Sequence, residues 1–452
     1  PNDRFTSVGF AKGYADGAHP SSDIQKSRLF GDFISTNYSY KDRYLMDATV
    51  RTDGSSKFGT DNRLAPFWSL GVGWNLHKEA WFDNSAISQL RLRFTTGVTG
   101  SVQFSPYLSR TTYTYNQDNW YSSGIGATVD NYGNNNLGWQ KTRSTDLGFD
   151  LGLFHDRIFL SPRIYYKLTK DLLADISIAP STGFSSYKEN LGDMENRGLE
   201  LSLRAIVVQN KDWGVNVYAN LVHNTNKIVR ISNSLEAYND KVNQEQANNP
   251  NYKGVPLLRY KEGQSYDAIY AVRSLGIDPE NGKEIFLKRD GTLTYQWDAR
   301  DVRVVGDATP FAQGSFGGTF HYRKFMMSLN FQTEFGGDMY NQTLVDRVEN
   351  ANPRYNVDSR VLAEKWKKPG DRTFYKSITD WGQTQVSSRF IQPNNVLSLQ
   401  SVYCSYDLRI VKRMVRLGMT ANDILRWSSV EQERGIDYPF ARSVTFSLQA
   451  QF

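Results

Sequence analysis

The chain has 452 residues, of which 39% are apolar, 22% charged and 13% aromatic, with one cysteine and a formal net charge of +6. Mean hydropathy is −0.55, and no apolar run approaches the roughly 18 residues of a membrane helix, so a helical membrane protein is excluded. The single thiol, Cys404, excludes an intrachain disulfide framework and a multi-thiolate metal site, and five scattered histidines argue against a His-rich one. A net charge of +6 gives no reason to expect nucleic acid as a partner. At about 100–200 residues per domain the length suits two to four domains, or one large β architecture. The 26 Tyr, 25 Phe and 10 Trp beside 35 Gly favour the second, because such a mixture fits half-exposed strands better than a helical enzyme core.

The chain opens at Pro1 with neither a charged n-region nor an apolar h-region, so a signal peptide is not expected within it. Period-2 alternation then predicts about fourteen strands, near 27–40, 43–53, 66–76, 88–99, 142–153, 157–168, 195–208, 212–226, 266–275, 309–322, 324–336, 396–408, 413–421 and 441–452. In the fifth, Leu147, Phe149, Leu151 and Leu153 oppose Asp146, Gly148, Asp150 and Gly152. In the seventh, Leu199, Leu201, Leu203, Ala205 and Val207 oppose Glu200, Ser202 and Arg204. The last strand is the clearest: Val444, Phe446, Leu448, Ala450 and Phe452 alternate with Ser443, Thr445, Ser447, Gln449 and Gln451. Turn signals at Asn281–Gly282 and Asp290–Gly291 predict a hairpin within a loop. Residues 341–348 and 359–367 read as short loop helices, the second opened by Ser359.

Strand and loop lengths decide between a soluble sandwich and a barrel in a membrane. The alternating runs are about 9–11 residues long, enough to cross a bilayer at a tilt, whereas ordinary strands have about 5–6. Very short connections sit at 40–43, 154–157, 209–212, 322–324 and 408–413, and long polar stretches fill 101–141, 169–196, 224–264, 336–395 and 422–440. Short turns at one end and long loops at the other mark a transmembrane antiparallel β-barrel with periplasmic turns and extracellular loops. A soluble sandwich with loops of about 20–60 residues after every second strand departs from ordinary loop lengths.

No catalytic motif emerges. The sequence has no phosphate-binding G-x-x-x-x-G-K-[ST], no H-E-x-x-H and no G-x-S-x-G, and Gly71-Val72-Gly73 lacks the third glycine of a dinucleotide fingerprint. Those glycines are expected to relieve crowding on a strand. The 278–282 segment has the wrong spacing for a calcium loop and reads as a tight turn. Neither a cofactor nor a metal is expected, and the chain is not expected to be an enzyme. Loop 101–141 is different: Tyr113, Tyr115, Trp120, Tyr121, Tyr132 and Trp139 sit among Asn, Gln and Ser, a composition that suits sugar rings. The alternative for each ring is packing within the loop or membership of an interfacial girdle. Charges at Asp47, Arg51, Asp146, Asp150, Arg163, Glu200, Arg204, Glu334 and Arg416 fall on polar strand faces, where a lumen or a plug would meet them.

Residues 43–82 read RYLMDATVRTDGSSKFGTDNRLAPFWSLGVGWNLHKEAWF. LRLRFTTGVTG (90–100), NLGWQKTRSTDLGFDLGLF (136–154), NLGDMENRGLELSL (190–203) and GDATP (306–310) follow in order. FGGTFHYRKFMMSLNFQTEFG (316–336), NNVLSLQSVYCSYDL (394–408) and the terminal YPFARSVTFSLQAQF complete the series. Over residues 27–452 this resembles the SusC/RagA family of TonB-dependent outer-membrane transporters of Bacteroidetes. The resemblance implies that residues 1–452 are the C-terminal part of one barrel, with the plug domain and first strands outside the chain. If the family barrel has 22 strands, about eight remain to be supplied.

The resemblance also implies a function. A SusC-like importer would sit in the outer membrane as a multi-pass barrel in contact with lipid. It would take up oligosaccharides with a SusD-like surface lipoprotein as cap, and would be driven by the TonB–ExbB–ExbD complex through its N-terminal part. An importer of oligopeptides and a passive porin are the alternatives.

Overall fold

The computed structural model describes residues 25–102, 106–122, 124–131, 133–177, 186–190, 192–410, 413–430 and 442–451. Thirteen strands form one sheet whose spatial order is their chain order. They are β1 (Leu29–Tyr40), β2 (Tyr44–Ser55), β3 (Leu64–Asn75), β4 (Ile87–Ser101), β5 (Gln140–Leu153), β6 (Ile158–Lys170) and β7 (Gly192–Gln209). The rest are β8 (Trp213–Ile231), β9 (Ala312–Tyr322), β10 (Phe325–Tyr340), β11 (Ile391–Ile410), β12 (Arg413–Ser428) and β13 (Ser443–Gln451). Every neighbouring pair is antiparallel, so each strand reaches its partner through the next turn or loop and no crossover is needed.

Register converts the alternation of each strand into two continuous faces. Leu92 opposes Phe149, Leu147 opposes Ile164, Ile164 opposes Leu199 and Leu199 opposes His223 along one face. Arg91 opposes Asp150, Arg163 opposes Glu200 and Asn220 opposes Ser315 along the other. The apolar face stays uncovered: Ile34, Val50, Phe446 and Leu448 are 77, 60, 77 and 71% exposed. A sheet that leaves such side chains bare across its whole width is built for lipid on that face. Cys404 lies on it, opposite Met327 and Met419.

Two aromatic belts bound the apolar face. Near the short turns, Tyr44 stacks against Tyr40 and Trp74 with ring centroids 6.4 and 6.3 Å away, and Trp213 lies 4.3 Å from Tyr322. Near the long loops stand Phe311, Phe335 and Trp427, all exposed. Amphipathic rings prefer the headgroup level, so the belts mark the two interfaces. The β1–β2 turn is tight: three residues, 41–43, separate the paired Tyr40 and Tyr44, with Lys41 and Asp42 both left-handed at φ 51° and 52°.

The structure corrects three expectations. Segment 266–275 is not a fourteenth wall strand. It divides into Ala268–Ala271, paired with Arg303–Asp307, and Arg273–Ile277, paired with Glu284–Leu287. All four residues of Ala268–Ala271 are buried, which is a core strand rather than one between two solvents. The long stretch after β8 holds an unexpected helix, α1 (Asn233–Asn248), capped by Ser232, and a short α2 (Pro250–Lys253). After α3 (Gln342–Leu344), α4 (Ser359–Ala363) is capped by Asp358, whose carboxylate accepts from the Arg360 amide, and not opened by Ser359. The expected hairpin is present, with Gly282 and Gly291 at φ 72° and 88° in its turns.

The long loops 232–311 and 341–390 fold together as a rim unit with its own core. Ile269 and Ala271 from the first loop pack with Leu344, Val345, Val348, Val361, Tyr375, Val386 and Phe390 from the second. A smaller core joins the β2–β3 turn to loop 102–139: Phe58, Ala65, Phe67 and Trp139.

Candidate functional site

Register places all nine charged residues singled out from the sequence on the polar face. Most are tied to neighbours. Asp150 accepts from Arg93 at 2.8 Å and from Ser161 at 2.6 Å. Arg163 pairs with Asp146 at 2.8 Å and reaches Glu200 at 3.7 Å, a run across three strands. Arg51 pairs with Asp53 at 2.7 Å, and Arg416 with Asp407 at 2.7 Å. Arg204 stands 5.8 Å from the Phe159 ring centre. Asp47 faces Gly71, where an added Cβ would come within 2.4 Å of its carboxylate, so that glycine does relieve crowding. Glu334 sits between Gln313 and Val396. Arg93 and Asp407 were not singled out, although the same alternation carries them.

A repeated arrangement spans the middle of this face. Tyr165, Gly198 and Asn224 stand directly opposite one another on β6, β7 and β8. The Tyr165 ring lies across the bare Gly198 backbone and its hydroxyl donates to Asn224 Oδ1 at 2.9 Å. Tyr218, Gly317 and Asn330 repeat the row on β8, β9 and β10, with Tyr218 donating to Asn330 at 2.5 Å. Asn330 in turn donates to Ser401 at 2.8 Å. The glycine lets a tyrosine lie flat and reach two strands away. The result is a smooth surface of aromatic, amide and hydroxyl groups between paired ions.

At the loop end, Tyr113 and Tyr115 share one face of the hairpin Thr112–Tyr121 with Gly124–Asn131, and are 62 and 52% exposed. Trp120 and Tyr121 belong to the same strand, but their side chains, and Tyr132 altogether, lie outside the described residues. Trp139 is 7% exposed. Its ring centre is 4.5 Å from Phe58 and 5.3 Å from Phe67, and its Nε1 donates to the Arg63 carbonyl at 3.1 Å. Its ring is occupied by packing, which leaves little of it for a ligand.

The rim unit contains a cleft the sequence did not reveal. It encloses about 720 Å³ and is lined by Lys283, Tyr295, Gln296, Gln383, Thr384 and Gln385 among others. The Thr384 hydroxyl is buried there with no protein partner. No contiguous motif signals this cleft, because its walls come from residues about 100 positions apart that only the rim core unites.

Behind the cleft lies a buried ion cluster. Arg389 donates to Glu284 at 2.8 Å and to Glu349 at 2.6 Å, with all three side chains nearly or fully buried. Burial alone would weaken the Arg389 cation, but the Glu284 and Glu349 carboxylates outweigh it and hold its pKa above the ordinary arginine value. Lys365 donates to the Glu349 carbonyl at 2.7 Å, and burial lowers its pKa. No group of three or more metal-ligating side chains occurs among the described residues.

Residues 2–316 match the family model described as TonB dependent receptor-like, beta-barrel. The chain belongs to this TonB-dependent receptor family. It is an outer-membrane β-barrel protein, in keeping with its two-faced sheet. A TonB-dependent receptor of Formosa agariphila is 30% identical over 449 residues, spanning 93% of this chain and 42% of that protein. The TonB-dependent receptor SusC of Bacteroides thetaiotaomicron is 27% identical over 338 residues, 72% of this chain and 33% of SusC. The chain thus spans well under half the length of these curated relatives. Among solved structures, the RagAB peptide importer in its closed-closed state superposes with a TM-score of 0.80 at 22% identity, covering 100% of this chain and 50% of that one.

Proposed function

We propose that this TonB-dependent receptor barrel forms the C-terminal wall of an active importer that brings oligosaccharides across the outer membrane. The observation that carries the reading is the continuous polar face of thirteen strands, set beneath a folded rim. The apolar face meets lipid. The polar face, with Asp47, Arg51, Asp146, Asp150, Arg163, Glu200, Arg204, Glu334 and Arg416, lines a lumen and meets a plug. Because β1 and β13 do not pair with each other among the described residues, closure calls for further strands, which we place in the same gene product.

Glycan is favoured by the chemistry of the loop end. Tyr113 and Tyr115 offer exposed ring faces, to which we add Trp120, Tyr121 and Tyr132 of the same loop, with Trp139 as their packed base. The rim cleft adds amides and hydroxyls beside Tyr295. A SusD-like surface lipoprotein would cap these loops, and a TonB–ExbB–ExbD complex would supply the energy. Oligopeptide is the second reading, favoured by the similarity of fold to the RagAB peptide importer.

Calorimetry on the full-length receptor with its cap, against panels of oligosaccharides and oligopeptides, tests the substrate. Glycan binding weakened about tenfold or more by Tyr113→Ala with Tyr115→Ala is expected, as for loss of two stacking faces. Tight peptide binding with no glycan response would overturn the glycan reading. Uptake that persists after dissipation of the proton-motive force would overturn active import and leave a passive porin.

A further inference from the structure

The apolar face changes character at one sector of its upper edge. On β5 to β8, about ten to fourteen residues above the short turns, five outward positions are basic and one, Glu195, is acidic; for strands tilted about 40° this is roughly 26–36 Å above those turns. That is the top of an apolar band about 25 Å tall, where lipid headgroups begin. The residues are Lys141 and Arg143 on β5, Lys170 on β6, Arg197 on β7 and Lys227 on β8, all exposed. Below them the same face carries Leu147, Phe149, Ile164, Leu199 and Leu221. Elsewhere around the sheet the corresponding height is held by apolar groups such as Leu64, Phe335, Leu425 and Trp427.

Within the sector, only one of the five cations is ion-paired by the protein, although Lys227 also stands opposite Glu195 in register. Arg197 is satisfied by Glu195 at 3.1 Å, and Asp193 is taken by Arg230 at 3.1 Å. Lys141, Arg143, Lys170 and Lys227 make no ion pair among the described residues. Moreover, Lys141 and Lys170 stand directly opposite each other in register. Like charges so placed repel, and a counter-anion between them turns the repulsion into attraction. Tyr166 lies beneath, its ring covered by Arg197 at 5.3 Å, forming a floor between the cations and the apolar band.

We infer that this sector is a binding site for the phosphate of a lipid headgroup in the outer leaflet. The phosphate would sit between Lys141, Arg143 and Lys170, with Lys227 at the flank, and the acyl chains would run down over Leu147, Ile164 and Leu199. A phosphate free in solution would satisfy the cations but make no use of the adjoining apolar surface. That continuity selects a lipid.

The test uses the full-length receptor in detergent micelles with fluorescent diphosphoryl lipid A as probe, against the same lipid with its phosphates removed. The variant K141Q/R143Q/K170Q/K227Q is compared with K41Q/K78Q/K211Q/K324Q, which removes equal charge at the short-turn end. Heat-modifiability on unboiled gels confirms that each barrel is folded. The expected result is at least tenfold weaker lipid binding for the sector variant, no change for the short-turn variant, and at least tenfold weaker binding of the dephosphorylated lipid to the unmodified receptor. Equal binding of the two lipids, or equal loss from both variants, would overturn the inference. Displacement of the probe by millimolar inorganic phosphate would assign the sector to a free anion and overturn the lipid reading.

Discussion

The wall and the rim are held together by different physics. In the wall, backbone ladders join thirteen strands while many large apolar side chains remain exposed, because lipid is the solvent on one side and water on the other. The rim is organised as a small soluble domain, with Val345, Val348, Val361, Val386 and Phe390 at 0% exposure and an arginine buried between two glutamates. A wall position is therefore governed by which face it occupies, and a rim position by how well it packs. Substitutions confined to one region should leave the other intact, and that expectation can be broken by experiment.

The largest effect is expected at Arg389. Arg389→Ala removes the cation from between Glu284 and Glu349 and leaves two carboxylates in a dry site, a change worth about 3–5 kcal/mol of rim stability. Hydrogen exchange over 268–277 and 386–390 should accelerate accordingly, while the heat-modifiability of the barrel stays unchanged. A matching loss in the wall would show that the two regions unfold as one. Phe58→Ala comes next. It empties a position that is 1% exposed against Trp139, at a cost of about 3 kcal/mol, and should free the amides near 134–139 without altering the rim unit.

This contrast also explains what could be read from the sequence. Strands such as β5, β7 and β13 face two solvents, so their polarity alternates and their positions follow directly. Ala268–Ala271 faces protein on both sides and carries no alternation, so its sequence does not distinguish rim core from wall. Helix α1 was equally silent: only a few positions such as Leu235, Val242 and Gln246 are buried, and one of those is an amide. Charged residues on the polar face were legible for the same reason as the strands. The rim cleft was not, since Lys283 and Gln383 meet only after two loops have packed. Trp139 shows the limit of composition: an aromatic in a polar loop can be its core.

Within the wall, Gly198→Ala should have the strongest effect. An added Cβ would lie 2.3 Å from the Tyr165 hydroxyl and 2.6 Å from the His223 carbonyl. The side chain can move but the carbonyl cannot, so about 1–3 kcal/mol of strain remains even beside Tyr165→Phe. A lower barrel-unfolding temperature on unboiled gels would register it. Arg163→Gln should cost under about 1 kcal/mol, because this pair is more than a third exposed on the arginine side and water can take the place of either partner. A larger loss would mean that the Asp146–Arg163–Glu200 run is a structural network rather than a wetted surface.

The smallest effect expected is an acid sensitivity confined to the rim hairpin. The Asp278 carboxylate accepts from the Tyr295 hydroxyl at 2.5 Å, the Glu280 amide at 2.9 Å and the Asn281 side chain at 2.8 Å. These bonds, the Tyr295 hydroxyl foremost, lower its pKa below the ordinary 3.8. A carboxyl whose folded pKa is depressed contributes stability that is fully present above its unfolded value and is lost as pH falls through the folded one. The hairpin should therefore be unaffected at pH 5 and loosen only below about pH 4. Limited digestion with pepsin, which acts in that range, should show cleavage within 278–295 rising as the pH falls from 4 to 2. Tyr295→Phe removes the leading bond and should shift the onset of cleavage upward. Cleavage that begins at the same pH in both proteins would show that the Tyr295 bond does not govern the turn.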